Sequence, residues 1–277
     1  MNPFIPYSIY GVIGYPLAHS LSPLLHTSAF KALNIPAILS PFSFPPEQLA
    51  QFFTSFKLLN IQGCAVTIPH KQAIIPFLDE VTDRVTRIGA ANLIYRDGDK
   101  LCGDNTDVLG FMKPLQKSEF ARSLNNVLIL GAGGASRAII VAIQDLGYQN
   151  IVISNQTDSK ADALAQEFNI RSIPWNERHL FDAEMIINTT PLGMNGKFAD
   201  QTPYHKTWFK GKGIVYDIVY TPEMTRFRQE AEQAGWQTIS GLEMFFGQAE
   251  AQFYSWTKQS LPDSAKQLVI EALSLKH

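Results

Sequence analysis

The sequence predicts an α/β protein, half of it a doubly wound parallel sheet that binds a dinucleotide. Three observations carry this. The run Val127-Leu128-Ile129-Leu130 reads as a buried strand, Gly131-Ala132-Gly133-Gly134-Ala135-Ser136 as a tight turn, and Ala138-Ile139-Ile140-Val141-Ala142 as an apolar helix. Glycines there let the backbone approach a pyrophosphate, whose charge sits on helix-start N–H groups. Strand and helix patterns alternate on both sides of this unit. The turn also comes only at residue 131, so a whole substrate-handling unit precedes it.

The 277 residues suit one large or two modest domains, and 45% apolar residues suffice for ordinary cores. A net charge of −2 supplies no basic patch, so neither nucleic acid nor an anionic membrane is expected as partner. No secretory pattern opens Met1-Asn2-Pro3-Phe4-Ile5-Pro6, and no apolar run reaches the ~20 residues of a membrane helix. Cys64 and Cys102 lie in no metal spacing. Two free thiols in a reducing, cytoplasmic protein are expected.

In the first third, 9–14 reads as a strand. Ser22-Pro23 reads as an N-cap with proline at the first helical position, opening a helix over 24–33. A strand at 37–42 precedes a helix at 46–59 with Leu49, Phe52, Phe53 and Phe56 on one face. A buried strand at 63–67 leads to a helix opened by Pro69, and 92–96 with 100–103 reads as a hairpin around Asp97-Gly98-Asp99. A helix follows at 108–117. Beyond the glycine turn come strands at 151–153, 185–187, 214–219 and 238–240, with helices at 159–168 and 223–234. Helices at 242–257 and 263–275 close the chain. These patterns divide it into 1–107, 108–240 and a C-terminal helical part, 241–277, that returns to the first domain.

Several polar clusters are candidates for chemistry. Past the strand at 151–153, Asn155 and Thr157 can hydrogen-bond a ribose or phosphate, and Lys160 adds a positive charge; a plain helix cap by Thr157 or Asp158 explains the same residues. Gln156 lies between them. Lys71 is expected in the first turn of the Pro69 helix, where the helix dipole disfavours a cation, a mismatch that points to a chemical role. Asp107 closes Gly103-Asp104-Asn105-Thr106-Asp107, and a lysine–carboxylate pair suits alcohol–ketone chemistry. Ser22 is explained as a cap, whereas Ser20 is not, and two hydroxyls at one turn suit a carboxylate. His19 and His26 lack further ligands and are expected to pack or cap locally, so no metal is predicted.

Taken in order, these segments resemble the shikimate dehydrogenase family over nearly the whole chain. The resemblance rests on Gly14-Tyr15-Pro16, His19-Ser20, Ser22-Pro23, Val66-Thr67-Ile68-Pro69 with Lys71, Gly89-Ala90-Ala91-Asn92 and Asn105-Thr106-Asp107. It continues through Gly131-Ala132-Gly133-Gly134-Ala135, Asn188-Thr189-Thr190 with Gly193-Met194, Asp217, Val219-Tyr220, Pro222, Gly241-Leu242-Glu243-Met244 and Gln248-Ala249. It implies NADPH-linked reduction of 3-dehydroshikimate to shikimate, a step of aromatic amino acid biosynthesis. The implied fold is an N-terminal substrate domain joined to a Rossmann domain.

Carried over residue by residue, Lys71 and Asp107 are the catalytic pair. Ser20 and Ser22 hold the substrate carboxylate with Tyr220 nearby, and Thr67, Asn92 and Gln248 take its hydroxyls. Gly131, Ala132, Gly133, Gly134, Ala135, Asn155, Gln156, Thr157, Lys160, Thr189 and Val219 belong to the cofactor site, with Gly241 and Met244 beside the nicotinamide. The chain departs from the family at Tyr15 and Ala65, where asparagine is usual, and at Leu93, where threonine is usual. Gln156 replaces the arginine of an Asn-Arg-Thr phosphate clamp, and a neutral amide cannot copy its bidentate grip. The resemblance makes NADP the expected cofactor, and Gln156 admits NAD as an alternative. The rival readings are a quinate/shikimate-type dehydrogenase of relaxed cofactor use and a non-catalytic binding protein on the same fold. A monomer or homodimer is expected.

Overall fold

A computed structural model describes residues 7–17 and 20–275; His19 lies outside the described residues. The chain divides into two compact units, residues 1–106 with 248–277, and residues 107–247.

The first unit starts with β1 (Ser8–Gly14), α1 (Ser22–Ala32), β2 (Ala37–Ser43), α2 (Leu49–Leu58) and β3 (Gly63–Val66). Then come β4 (Glu80–Val81), α3 (Asp83–Ile88) and the hairpin β5 (Leu93–Asp97) and β6 (Lys100–Asp104). Its sheet runs β2-β1-β3-β5-β6-β4. β1 is parallel to β2 and β3, whereas β5 is antiparallel to both β3 and β6. The apolar face of α2 is buried as its spacing predicts, through Leu49, Phe53 and Phe56, and Phe53 stacks on Phe77 at 4.6 Å.

Two local expectations fail here. No helix begins at Pro69; 68–74 are turns, ending in a 3-10 turn at Ile75–Phe77. A helix from Pro69 would reach Pro76 within two turns, and that proline lacks the N–H and clashes with the carbonyl four residues back. Nor does Ser22 cap α1, of which it is the first residue. The Ser22 N–H instead donates to Ser20 Oγ at 3.4 Å, so the serine with a local structural role is the other one. The α3 helix is additional to the sequence pattern, although its ends carry cap signals: Thr82 accepts from the Val85 N–H, and Gly89 ends the helix at φ 69°.

The second unit comprises α4 (Asp107–Lys117), α5 (Glu119–Arg122), β7 (Asn126–Leu130), α6 (Gly134–Asp145), β8 (Asn150–Ser154), α7 (Asp158–Phe168) and β9 (Arg171–Ser172). After these come β10 (Met185–Asn188), β11 (Ile214–Asp217), α8 (Arg226–Gln233), β12 (Gln237–Ser240) and the start of α9 (Gly241–Thr257). The strands form one parallel sheet in the order β12-β11-β10-β7-β8-β9, which reverses direction between β7 and β10. Strands β7, β8 and β10 are almost wholly buried, as their β-branched runs predict. α8 starts three residues later than its sequence pattern suggests. Thr225, fully buried, accepts from the Arg228 N–H and so sets the start.

The last helices are α9 and α10 (Asp263–Ser274). The unit boundary falls within α9, between 247 and 248, and not before it. The first turns of α9 lie tight on α4: a Cβ on Gly247 would stand 2.8 Å from Gly110 Cα. Further along, Gln252 Nε2 donates to the Asn92 carbonyl at 3.2 Å and Trp256 Nε1 to that of Ile94 at 3.0 Å. Gly63 makes the latter contact possible, since a Cβ there would meet Trp256 Nε1 at 2.4 Å.

Gly247→Ala should therefore force α4 and α9 apart. Overpacking of this kind costs about 1–3 kcal/mol. Thermal unfolding should show a fall in Tm of roughly 2–10 °C, and an unchanged Tm would mean the helices separate without cost.

Candidate active site

In the first unit the sheet topology collects the candidate residues along one edge. The loops leaving β1 and β3 emerge on the same side because those strands are parallel. They carry Ser20 and Ser22, and Thr67 and Lys71. Since β5 runs the other way, Asn92, just before it, lies on that edge too. β6 reverses again and delivers Asp104, Asn105 and Thr106 to the same edge.

Hydrogen bonds tie these loops together. The Tyr15 N–H donates to the Ile68 carbonyl at 2.9 Å, the Thr67 N–H to that of Ile13 at 2.9 Å, and the Ala91 N–H to that of Lys71 at 2.8 Å. Gly14 is needed where it stands, since a Cβ would meet Thr67 Cγ2 at 2.4 Å. His70, fully buried, stacks on Phe44 and shares a 3.0 Å hydrogen bond with its carbonyl; burial lowers its pKa, so it anchors the Lys71 turn as a neutral ring.

Asn92 is deeply buried, and its Oδ1 accepts from the Thr106 N–H at 2.7 Å and the Thr106 hydroxyl at 3.1 Å. Asn105 Nδ2 donates to the Ala90 carbonyl. Asp104 receives a two-pronged hydrogen bond from Arg84 at 2.8 and 3.2 Å and one from Thr82 at 2.7 Å. Burial alone would raise its pKa, but Arg84 and Thr82 outweigh that and hold it low. Asp107 follows as the first residue of α4 and is itself buried. Much of the Asn105-Thr106-Asp107 motif thus holds the end of β6 in place. Gln252, missed in the sequence, lies one turn beyond Gln248 on the same helix face; that i, i+4 spacing was the available signal. His26 packs between Phe253 and Trp256, its pKa pushed down to about 3 by burial, so it is a neutral core residue. Cys64 and Cys102 are both buried and free, and Leu93 and Ala65 are core residues.

In the second unit the parallel sheet aligns every candidate at the carboxyl ends of its strands. Gly131 to Ala135 follow β7, Asn155 to Lys160 follow β8, Thr189 follows β10, Val219 and Tyr220 follow β11, and Gly241 and Met244 follow β12. The glycine turn sits beside the point where strand order reverses, the usual ligand crevice of such sheets.

The three glycines have different reasons. Gly131 has φ 112°, and a Cβ there would stand 2.4 Å from Thr189 Oγ1, so the fold itself requires it. At Gly133 and Gly134 a Cβ would meet nothing within 4 Å. The bare backbone there therefore suits a ligand lying against it, and the residues fit a dinucleotide. By helix geometry the N–H groups of Gly134 and Ala135 lack a carbonyl one turn back.

Ser136, at the sixth position of the pattern, proves to be the hub of the turn. It is fully buried, accepts from the Gly133 N–H at 3.1 Å, donates to the Gly131 carbonyl at 2.9 Å, and lies 2.7 Å from Thr189 Oγ1. Thr189 Oγ1 also contacts the Leu130 carbonyl at 2.8 Å. Asn155 braces the turn from the other side: its Oδ1 accepts from the Ala132 N–H at 3.1 Å and its Nδ2 donates to the Thr157 carbonyl at 3.0 Å. Thr157 occupies the cap position of α7 without making a side-chain cap bond, while Asp158 Oδ1 accepts from the Trp175 N–H. Gln156, Thr157 and Lys160 are all exposed at this strand end.

A buried network organises the loops after β10 and β11. Asp217 accepts from Asn188 Nδ2 at 2.9 Å, the Val219 N–H at 3.1 Å and the Thr225 hydroxyl at 2.6 Å. Asn188 Oδ1 in turn accepts from the Thr190 N–H and hydroxyl. Val219 and Thr189 are thus positioned by residues whose own side chains are fully used. Gly241 permits close packing on β11, as a Cβ would meet the Ile218 carbonyl at 2.4 Å. Tyr220 is half-buried against Phe245, ring centres 5.2 Å apart, and burial raises its phenol pKa.

These features define an α/β enzyme with a dinucleotide-type glycine turn at the switch point of one sheet and a polar edge on the other. The family described as "Shikimate dehydrogenase substrate binding domain" matches residues 12–94, and "Shikimate / quinate 5-dehydrogenase" matches residues 115–192. The shikimate dehydrogenase (NADP(+)) of Pelobacter propionicus is 55% identical over 275 residues, 99% of either chain. Among solved structures, shikimate 5-dehydrogenase from Thermus thermophilus, in complex with NADP(H) and shikimate, superposes with TM-score 0.86 at 31% identity, over 96% of this chain and 99% of that one. The Listeria monocytogenes enzyme, in complex with shikimate and NAD, gives TM-score 0.86 at 28% identity, over 95% and 96%. The chain belongs to the shikimate dehydrogenase family.

Burial pushes the Asp217 carboxyl up from 3.8 to about 6, against the pull of its three donors. Between about pH 4 and pH 6 the folded chain holds a proton there that the unfolded chain has released. Its contribution to stability therefore falls as pH rises through that window, by about 3 kcal/mol in all. Urea unfolding of the parent and Asp217→Asn between pH 4 and 7 should show this slope in their difference. Parallel pH profiles would remove Asp217 as its source.

Proposed function

We propose that this chain catalyses the reversible reduction of 3-dehydroshikimate to shikimate with NADPH. The observation that carries this reading is the gathering of Ser20, Ser22, Thr67, Lys71 and Asn92 on one sheet edge in a chain 55% identical to a shikimate dehydrogenase (NADP(+)). In this reading the unit of residues 1–106 and 248–277 holds the substrate, and residues 107–247 hold the dinucleotide.

Ser20 and Ser22 take the substrate carboxylate, and Tyr220 approaches the same group. Thr67, Asn92 and Gln248 take ring hydroxyls. The Asn92 Oδ1 already serves Thr106, so its side-chain amide meets the substrate through Nδ2, beside the Thr67 hydroxyl. The glycine turn and the α6 start receive the pyrophosphate, while Thr157, Gln156 and Lys160 face the adenosine end, with Asn155 bracing the loop. Thr189, Val219, Gly241 and Met244 line the nicotinamide end. The nicotinamide supplies hydride to the ketone carbon when bound. The Lys71 ammonium then gives its proton to the carbonyl oxygen, which becomes the hydroxyl, and the amine regains a proton from water. Asp107 orients that amine and balances its charge.

Lys71→Ala should lower kcat by about 10²-fold or more, the usual worth of a positioned acid–base group, while KM for shikimate changes little. Near-normal kcat would remove Lys71 from the mechanism. Protein that binds both ligands without turning them over would establish the non-catalytic alternative.

Gln156 supports a second reading, in which NAD is also used, because an exposed neutral amide stands where a phosphate clamp is expected. Rates of shikimate and quinate oxidation with NADP and NAD separate the readings. Gln156→Arg should raise kcat/KM for NADP over NAD by roughly tenfold, the worth of one charge-assisted hydrogen bond. Equal effects on both cofactors would take Gln156 out of the discrimination.

A further inference from the structure

The later turns of α9 run along β5, and the two elements keep step. Four residues of helix advance about 6 Å, and two residues of strand advance about 6.6 Å. Gln252 and Trp256, four apart, accordingly donate to the carbonyls of Asn92 and Ile94, two apart. One helical turn back, the same register sets Gln248 beside the residues just before β5, at the edge where Thr67 and Lys71 lie.

Gln252 is only 2% exposed and has almost no surface to offer a ligand. What it holds is a junction. The Asn92 carbonyl accepts from Gln252 Nε2 at 3.2 Å and from the Val66 N–H at 2.8 Å, while the Asn92 N–H donates to the Asp104 carbonyl at 3.0 Å. Val66 leads directly into Thr67. For stability alone an amide is a poor choice here. Its Oε1 and both ring nitrogens of the neighbouring neutral His26 are buried without a well-formed hydrogen bond, and a buried acceptor left unmet is a cost. An unbranched apolar side chain of similar size avoids that cost, and the Asn92 carbonyl keeps its bond from Val66. What the amide adds is its grip on Asn92.

We propose that Gln252 is a positioning residue for substrate specificity. It touches no ligand; through the Asn92 carbonyl it fixes α9 against β5 and so sets the spacing of Thr67, Asn92 and Gln248. This rests on the function proposed above, in which those three residues take the ring hydroxyls. A site that pairs with hydroxyls rejects a ligand lacking one, because its own polar groups are then left unpaired. That rejection depends on the spacing of the pairing groups, which is the quantity Gln252 controls.

The test measures kcat/KM of the full chain with NADP for shikimate and for analogues lacking one ring hydroxyl other than the one oxidised. The ratio of the two reports hydroxyl recognition. Gln252→Met should keep or raise Tm, because it orphans no carbonyl and removes an unmet acceptor. It should raise KM for shikimate about fivefold with kcat changed less than about twofold, and lower the ratio about fivefold, the size of coupling usual between groups in one network. KM for NADP should not move. Gln252→Leu serves if the first variant does not fold, and Thr67→Val is the reference for direct contact. If Thr67→Val keeps the parent's ratio, the hydroxyl assignments fail and the proposal with them. If Thr67→Val lowers the ratio and the Gln252 variant does not, the proposal alone is overturned. A KM for NADP that rises alike, a marked fall in Tm, or failure of both Gln252 variants to fold also overturns it, since the amide would then serve the fold at large.

Discussion

The contact between the glycine turn after β7 and the loop after β10 organises the carboxyl edge of the parallel sheet. Two hydroxyls, Ser136 Oγ and Thr189 Oγ1, meet at 2.7 Å over the Gly131 backbone, and only a residue without Cβ fits beneath them. α6 starts three residues on, at Gly134, at the same carboxyl edge. Asn155 ties the loop after β8 to the same turn through the Ala132 N–H. Three strand ends are thereby locked into one geometry by side chains that are themselves buried or braced. A ligand meeting this edge finds donors already aimed, with little ordering left to do.

The same economy appears in the unit of residues 1–106 and 248–277, with different chemistry. Its sheet is mixed, so residues far apart in sequence reach one edge only because β5 and β6 reverse direction. Asparagine and aspartate side chains then serve as loop fasteners: Asn92 holds Thr106, Asp104 is gripped by Arg84 and Thr82, and Asn105 holds Ala90. Several residues of one motif thus brace the loops rather than stand open on the edge.

Sequence reasoning was strongest where period and burial agree. The β7 strand, the glycine turn and the apolar face of α2 follow from residue type alone. It failed at Pro69, Ser22 and Glu223, where the choice between helix and turn depended on Pro76, on Ser20 and on the Thr225 cap. Each was a competition between local signals of similar strength. The roles of Ser136, Gln252 and Asp217 were hidden for another reason. Ser136 and Asp217 each combine local partners with one far along the chain, Thr189 and Asn188, which no local pattern marks, and for Gln252 the only signal is its i, i+4 spacing from Gln248.

By itself the sequence determined the α/β class, the dinucleotide turn, the family and the identities of the candidate groups, because these depend on residue chemistry and short-range spacing. Tertiary structure alone decided which glycines the fold requires and which it leaves open, that α9 belongs to both units, and that a parallel and a mixed sheet each gather their polar residues on one edge. Those outcomes depend on strand direction and on atoms meeting across long stretches of chain, which no reading along the chain can supply.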